Sequence, residues 1–331
     1  MKLSVLDQAP ISKGDTPEET LRKTIELAKW TESLGYHRYW VAEHHNTSGL
    51  ASSSPEILMT NIAASTNQIR VGSGGILLPQ YSPYKIAENA KTLSAFFPNR
   101  IDIGFGNSPG GSPSTQKALT DNHIKPIDDF SRQVSDLQGF LYNSLPRDHQ
   151  FRLVKAGPRI DNPPPMWLLG LTENGAKNAA NLGIGFVFGH FINPKYGKIA
   201  MERYYNDFKP SVSQQSPSSI VCIFVVCAET DEEAEELALS QDKWLINVSK
   251  GRGTKVLSSE EINVEDFTDE EQDLIKKNRK RCIIGSPETV VAKLKELETY
   301  YQTDEFMIIT NIYNFKDKKK SYKLLADAIT E

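Results

Sequence analysis

The chain has 331 residues, of which 39% are hydrophobic and 24% charged, with a net charge of −4 at pH 7. This balance is ordinary for a globular protein and lacks the basic excess of a nucleic-acid-binding surface, so we expect no nucleic-acid partner. The longest apolar run, residues 219–228, is too short to span a membrane, and the three dispersed cysteines give no disulfide framework, which predicts a cytoplasmic protein without a membrane partner.

Short apolar segments alternate with amphipathic segments along most of the chain. Eight segments rich in Val, Ile, Leu and aromatic residues are predicted strands: 3–6, 39–42, 69–74, 101–105, 166–169, 185–188, 220–226 and 305–310. Most of them are apolar without alternation, which is typical of strands buried on both faces of a parallel sheet.

Helix-start signals follow most of these strands. Residues 16–19 combine a threonine N-cap, a proline at the first helical position and a glutamate that closes a capping box. The cap-then-proline pattern recurs at Ser54, Ser82, Asn193 and Ser286, and further capping boxes begin at Thr230 and Thr268. Eight strand–helix units favour an α/β fold, a (β/α)8 TIM barrel, as one domain over 1–331 with an insertion before the last strand.

Two long polar segments interrupt this alternation. Residues 107–125 are rich in Gly, Ser and Pro, and residues 249–267 contain two glycines and several charges with little periodicity. Loops of this length in a compact domain are usually functional or mobile.

The motif Glu43-His44-His45 directly follows the second predicted strand. In a barrel this is the C-terminal face, where active sites lie, and a histidine there can act as an acid or a base near neutral pH. The alternative is that these side chains only hydrogen-bond loop backbone. Adjacent histidines at a strand end point to opposite sides and suit one metal poorly, so we predict no metal site.

Glycines mark two further strand ends. Gly74-Gly75 permits close approach of a flat ligand, although a bulge at the barrel rim explains the pair equally well. Residues 104–111 could present backbone N–H groups to a phosphate, but they match neither a dinucleotide-binding fingerprint nor a Walker loop.

Taken in order, the motifs resemble the bacterial luciferase-like monooxygenase family, in particular its small single-chain flavin-dependent oxidoreductases. The segments that carry the resemblance are Val41-Ala-Glu-His-His-Asn46, Val71-Gly-Ser-Gly-Gly-Ile-Leu-Leu-Pro79, Pro98-Asn-Arg-Ile-Asp-Ile-Gly104, Gly285-Ser-Pro-Glu-Thr-Val290 and the tail 304–326. The resemblance implies a barrel that binds FMN at its C-terminal mouth. Reduced FMN from a separate flavin reductase would react with O2 and oxidise a small organic substrate, such as an aldehyde.

The resemblance also implies roles for individual residues. His44 matches the active-site histidine of the family, and Gly74-Gly75 matches a non-proline cis peptide that supports the flavin ring. His190 matches a histidine that often follows the sixth strand, although a structural role fits it equally well. A homodimer formed through the early helices is common in the family and is expected here.

Phosphate binding is the point where the sequence departs from the family pattern. Asn107 stands where many relatives carry an arginine that pairs with the flavin phosphate. Backbone N–H groups from Ser108 onward could compensate for the missing charge. Thr172, Glu173 and Asn174 match a helix start that contributes to phosphate binding, although Glu173 would compete with an anion for the same helix dipole.

Two other functions remain open from the sequence. One is hydride transfer with a deazaflavin cofactor on the same barrel. The other is a non-catalytic barrel that binds a flavin or another ligand, which the missing arginine at Asn107 supports and the intact Glu43-His44-His45 motif opposes.

Overall fold

A computed structural model describes residues 1–330 of the chain. The described residues form the strands β1 (Lys2–Asp7), β2 (Arg38–Val41), β3 (Arg70–Ser73), β4 (Ile76–Leu77), β5 (Ile101–Gly106), β6 (Met166–Gly170), β7 (Gly185–Gly189), β8 (Ser219–Cys227), β9 (Cys282–Gly285) and β10 (Glu305–Ile309). The α-helices are α1 (Pro17–Ser33), α2 (Pro55–Ser65), α3 (Pro83–Phe96), α4 (Pro113–Leu119), α5 (Phe130–Tyr142), α6 (Glu173–Leu182), α7 (Gly197–Asp207), α8 (Asp231–Ser249), α9 (Asp269–Arg279), α10 (Pro287–Tyr301) and α11 (Phe315–Thr330).

Eight parallel strands close into a barrel. They follow the order β1, β2, β3, β5, β6, β7, β8 and β10, and β10 pairs back onto β1. The two remaining strands are additions to this ring: β4 extends the edge beside β5, and β9 pairs with residues 224–227 of β8. The predicted (β/α)8 barrel is therefore confirmed, and each of the eight predicted strands is present within one or two residues of its expected bounds.

Local signals explain where the helices begin. Thr16 accepts from the backbone N–H of Glu19 while Glu19 reaches back to the Thr16 N–H, so the predicted capping box is complete. Thr230, Thr268 and Ser286 likewise accept from the N–H three residues later. Within residues 1–330, no helix is long and apolar enough to cross a bilayer.

The two largest clusters of the apolar core lie on either side of the barrel strands. The larger one lies between the strands and the surrounding helices and includes Tyr39, Phe186 and Tyr322. The smaller one lies inside the barrel, where Trp40 and Trp167 meet edge to face with ring centroids 5.8 Å apart. The inner layer separates the two ends of the barrel.

The N-terminal end of the barrel is closed by a buried charge network. Asp102 accepts from Arg38 at 2.7 Å and from Arg70 at 2.6 Å, and Glu305 accepts from Arg38 at 2.8 Å and from Ser4 at 2.6 Å. Burial opposes ionisation of Asp102, but the two guanidinium groups outweigh it and hold the pKa of this carboxyl below its ordinary value.

The two segments expected to be long loops contain local structure. Residues 107–125 include α4, which begins after the N-cap Ser112 with a proline at its first position. Residues 249–267 include two short 3-10 turns and are tied to the loop after β1, because the N–H of Val256 donates to Ile11 and its carbonyl accepts from Lys13.

Candidate active site

A cavity of about 930 Å³ opens at the C-terminal ends of the barrel strands. This is near the upper end of the range of about 300–1,000 Å³ that small-molecule and cofactor sites occupy. One side, which we call the glycine lobe, is formed by Gly74, Gly75, residues 106–111 and the start of α6. A second set of lining residues, which we call the apolar lobe, consists of Val187, Cys222, Phe224, Trp244 and Met307.

His44 lines the cavity directly after β2. Its backbone N–H donates to the carbonyl of Ser52 at 2.8 Å, and the Ser52 hydroxyl donates to the carbonyl of Ala42, so the turn that carries the imidazole is held from both sides. The Nδ1 atom is buried and has no hydrogen-bond partner within residues 1–330. Burial, with a smaller contribution from His45, lowers the pKa of His44 to about 4, so the ring is neutral at pH 7.

Glu43 and His45 form a hydrogen-bonded network beside His44. The carboxylate of Glu43 lies 2.7 Å from Nε2 of His45, accepts from the Tyr81 hydroxyl, and accepts from the backbone N–H of Leu77 at 2.9 Å. Glu43 thereby ties the end of β2 to β4. Of the two histidines in the motif, His44 has no side-chain hydrogen bond within residues 1–330, whereas His45 is bonded to Glu43 through Nε2.

Gly74 and Gly75 form a wall of the cavity without side chains. The peptide bond between them is cis, and the N–H of Gly74 donates to the carbonyl of Val41 at 2.8 Å. A Cβ on Gly75 would lie 3.0 Å from Cα of Phe105, and one on Gly74 would lie 2.5 Å from Cδ1 of Leu6. Because both glycines line the cavity and carry no side chain, the wall here is backbone alone, which a flat ligand can approach closely.

The rim of the glycine lobe carries backbone donors. Gly110 and Gly111 have φ values of +74° and +85°, a conformation that turns this loop back on itself. The N–H groups of Ser108 and Gly111 donate no hydrogen bond within the described residues. Asn107 is exposed and lines the same rim.

The start of α6 faces the rim from the next strand. Thr172 is the N-cap and accepts from the N–H of Gly175 at 3.3 Å, while Thr172 and Asn174 both line the cavity. The first N–H groups of a helix have no partner inside the helix, so they can bind an anion together with the loop 106–111.

The structure does not bring Glu173 and His190 to the cavity. Glu173 is exposed and pairs with Arg203 at 3.1 Å. His190 is buried outside the barrel mouth, where its Nδ1 lies 2.9 Å from the hydroxyl of Tyr301, and burial lowers its pKa to about 4. Both residues lie just after a strand of the barrel, at its C-terminal end. Their side chains nevertheless contact Arg203 and Tyr301 and do not line the cavity.

Gln8 and Arg281 are among the cavity residues that the sequence did not predict. Gln8 follows β1 and is buried, and its Oε1 atom has no hydrogen-bond partner within residues 1–330. Its position directly after the first strand was the available signal. Arg281 precedes β9 and lies in a run of three basic residues, which does not show which of them faces the cavity.

The apolar lobe offers no reactive thiol or metal site. Burial holds the pKa of Cys222 far above its ordinary value, so this thiol stays protonated. No group of three or more His, Cys, Asp or Glu side chains in the part of the chain described is arranged to hold a metal ion.

The donor set of the cavity fits a flavin mononucleotide. The wall at Gly74–Gly75 suits a planar ring, and the side chains of His44 and Gln8, which line the same cavity, supply polar groups for its edge. The free N–H groups of Ser108 and Gly111, together with the α6 start, suit a phosphate.

Comparison with known proteins gives consistent matches over the full length. A family model described as luciferase-like monooxygenase matches residues 1–303. Two relatives come from Bacillus subtilis strain 168: the uncharacterized protein YceB is 53% identical over 98% of both chains, and N-acetyl-S-alkylcysteine monooxygenase is 37% identical over 99% of this chain and 98% of its own. The crystal structure of apo-MsnO8 superposes with a TM-score of 0.87 at 34% identity, covering 99% of this chain and 98% of that chain.

Proposed function

The chain belongs to the luciferase-like monooxygenase family, and from this premise we propose that it is an FMN-dependent monooxygenase that oxidises a small organic substrate with O2. The observation that carries the proposal is the placement of the imidazole of His44 in the lining of the same cavity as the side-chain-free wall at Gly74–Gly75. One group is suited to bind and exchange a proton, and the other to support a flat ring.

Each part of the cofactor has its own partners in this proposal. Gly74 and Gly75 support the ring, while Asn107, Ser108, Thr172 and Asn174 surround the phosphate. Glu173 and His190, whose side chains point away, are not among the binding groups. When bound, reduced FMN supplies the electrons that activate O2.

His44 acts as a base or as a hydrogen-bonding group. Because its pKa is about 4, the imidazolium form is rare at pH 7, and a role as general acid in the resting state is disfavoured. The neutral ring can accept a proton at the nitrogen that carries none, or donate a hydrogen bond from the other. The apolar lobe keeps water away from this reaction, and residues 249–267 would cover it as a lid.

The substrate is proposed at the level of its class. The apolar side chains of the apolar lobe suit an aldehyde-like molecule with an apolar body. The relative named N-acetyl-S-alkylcysteine monooxygenase adds thioethers as a second class to test.

We propose the reductase partner, the cellular location and the oligomeric state by analogy with the family. We expect a separate flavin reductase to supply reduced FMN, a cytoplasmic location, and a homodimer. Ile57 on α2 and Phe96 on α3 support the homodimer, because these large apolar side chains are 68% and 71% exposed.

The experiment that tests the function combines binding and turnover. Purified protein is titrated with FMN, riboflavin and the deazaflavin F420, and O2 consumption is then measured with a flavin reductase, NADH and a panel of aldehydes and thioethers. FMN binding with substrate-dependent O2 consumption and an oxygenated product supports the proposal. Binding of F420 alone would favour hydride transfer, and FMN binding without any oxygenated product would favour a non-catalytic barrel.

A further inference from the structure

Arg281 lies in the wall of the cavity, just before β9. Its Nη1 donates to the carbonyls of Phe191 at 2.9 Å and Ile192 at 3.3 Å, and its Nη2 donates to Oδ1 of Asn278 at 2.7 Å. These bonds fix the guanidinium against the loop that follows β7. The side chain is thus held in place before any ligand arrives.

The charge of Arg281 has no counter-charge in the protein. No carboxylate within residues 1–330 lies within 4.0 Å of its nitrogens. Two residues earlier, Arg279 pairs with Asp242 at 2.6 Å and with Glu235 at 2.8 Å. Burial lowers the pKa of Arg281, but a guanidinium stays protonated, so a partly buried cation remains uncompensated.

The cavity has charged side chains of both signs in its lining. Among the described residues that line it, Arg281 is the sole lysine or arginine. Glu43, the acidic residue in the lining, is already bound to His45, Tyr81 and the Leu77 N–H. Arg281 is therefore a concentrated positive charge in the cavity wall, and the Glu43 carboxylate does not pair with it.

Arg281 also keeps donors available. A guanidinium has five N–H groups, and three donate to the carbonyls of residues 191 and 192 and to Asn278. The two that remain include the Nε–H. Arginine binds carboxylate and phosphate through pairs of N–H groups, which makes an oxyanion the natural partner.

We propose that Arg281 binds an oxyanion carried by a ligand of this cavity, either the phosphate of the flavin or a carboxylate of the organic substrate. The inference rests on the proposed function, which places both ligands in the cavity. It assigns to Arg281 the charge that Asn107 lacks, and it makes Arg281 the residue that selects charged ligands over neutral ones.

The test uses pairs of ligands that differ only in the anionic group. FMN is compared with riboflavin through quenching of flavin fluorescence. Octanoate is compared with octanamide through the fluorescence of the protein, because Trp244 lines the cavity. Each pair is measured on the wild type, Arg281→Gln, Arg281→Lys and the neighbouring control Arg279→Gln.

The readout is the affinity ratio within a pair, which a loss of folding stability does not change. If the phosphate is the partner, Arg281→Gln reduces the preference for FMN over riboflavin by about 10- to 100-fold, Arg281→Lys retains part of it, and Arg279→Gln leaves it unchanged. If a carboxylate is the partner, the same pattern occurs in the preference for octanoate.

Two outcomes overturn the inference. One is a wild type that prefers the anion in neither pair, and the other is an Arg281→Gln variant that retains both preferences. A wild type that binds no flavin would refute the proposed function, and the octanoate pair would still decide the role of Arg281.

Discussion

The two ends of the barrel use their polar groups in opposite ways. At the N-terminal end, the carboxylates of Asp102 and Glu305 are balanced by Arg38 and Arg70. At the C-terminal end, His44 and Gln8 each bury a polar atom that has no partner within residues 1–330. Both sets lie at strand ends of the same barrel. The charged groups at the N-terminal end are paired within the protein, whereas His44 and Gln8 line the cavity at the mouth and keep polar atoms without a partner in the described residues.

The variant with the largest expected effect alters the C-terminal end of the barrel, the mouth, and leaves the N-terminal end, the base, unchanged. His44→Ala should lower kcat/KM for substrate oxidation by about 10²- to 10⁴-fold, because it removes the proposed proton-exchanging group. The free energy of unfolding, measured with urea, should change little, since Nδ1 of His44 makes no hydrogen bond in the described residues.

His190→Ala is the matched control for this variant. His190 has a similarly lowered pKa but bonds Tyr301 away from the cavity, so its loss should reduce stability and leave turnover nearly unchanged. An His44→Ala enzyme with full turnover and a reduced unfolding free energy would show that His44 is structural.

The second variant disrupts the charge network at the N-terminal end of the barrel. Asp102→Ala leaves the guanidinium groups of Arg38 and Arg70 without their carboxylate, and we expect a loss of about 3–5 kcal/mol in the free energy of unfolding. FMN affinity at a temperature where the variant is folded should stay close to that of the wild type. A strong loss of FMN affinity in the folded variant would mean that the two ends are coupled.

Acidification should affect the two ends over different pH ranges. His44 and His190 have folded pKa values of about 4, below the ordinary 6.5, so the unfolded chain takes up their protons first as the pH falls. Their stabilising contribution is complete above pH 6.5 and is lost between 6.5 and 4. Lowering the pH from 7 to 5 should therefore reduce the free energy of unfolding by about 2 kcal/mol for each of the two histidines.

The carboxyls of the base respond later. The pKa of Asp102 lies below its ordinary 3.8 and that of Glu305 below its ordinary 4.5, so their contribution is lost only at lower pH. Urea titrations at pH 7 and pH 5 on the wild type and His190→Ala check this assignment. If the two proteins lose equal stability between these values, His190 does not titrate as stated.

The variant with the smallest expected effect tests where the mouth of the barrel binds the phosphate. Asn107→Arg should tighten FMN binding about tenfold, because it adds a charged hydrogen-bond donor at an exposed position of the phosphate rim. Riboflavin, which has no phosphate, should bind with unchanged affinity. Equal improvement of both ligands would place the phosphate away from residue 107.

The barrel was predictable from the sequence because its signals are local. Apolar runs mark the strands, and N-cap residues followed by proline mark the starts of several helices, because neighbouring residues in each segment favour the same structure. β9 was not predicted, because its four residues run directly into the cap of α10 at Ser286. The cis peptide between Gly74 and Gly75 was expected only through the family resemblance, because the residue pair by itself fitted a simple bulge at the rim equally well.

Side-chain direction was not predictable in the same way. The resemblance placed Glu173 and His190 in the cofactor site, but the structure turns one toward Arg203 and the other toward Tyr301. Arg281 reaches the cavity only because β9 pairs with β8, a contact between residues about 60 positions apart that no local pattern encodes.

The backbone pairing of Val256 has a consequence for how the cavity can open. Because Val256 is bonded to Ile11 and Lys13, residues 249–267 cannot swing away as one piece without losing two backbone hydrogen bonds. The pairing divides the segment into a short arch that contains Gly251 and Gly253 and a second part that leads into α9. Amide hydrogen exchange should therefore be slow at Val256 and Lys13 and fast at Gly253, whose N–H donates no hydrogen bond within residues 1–330, so the arch is expected to open before the paired part of the segment does.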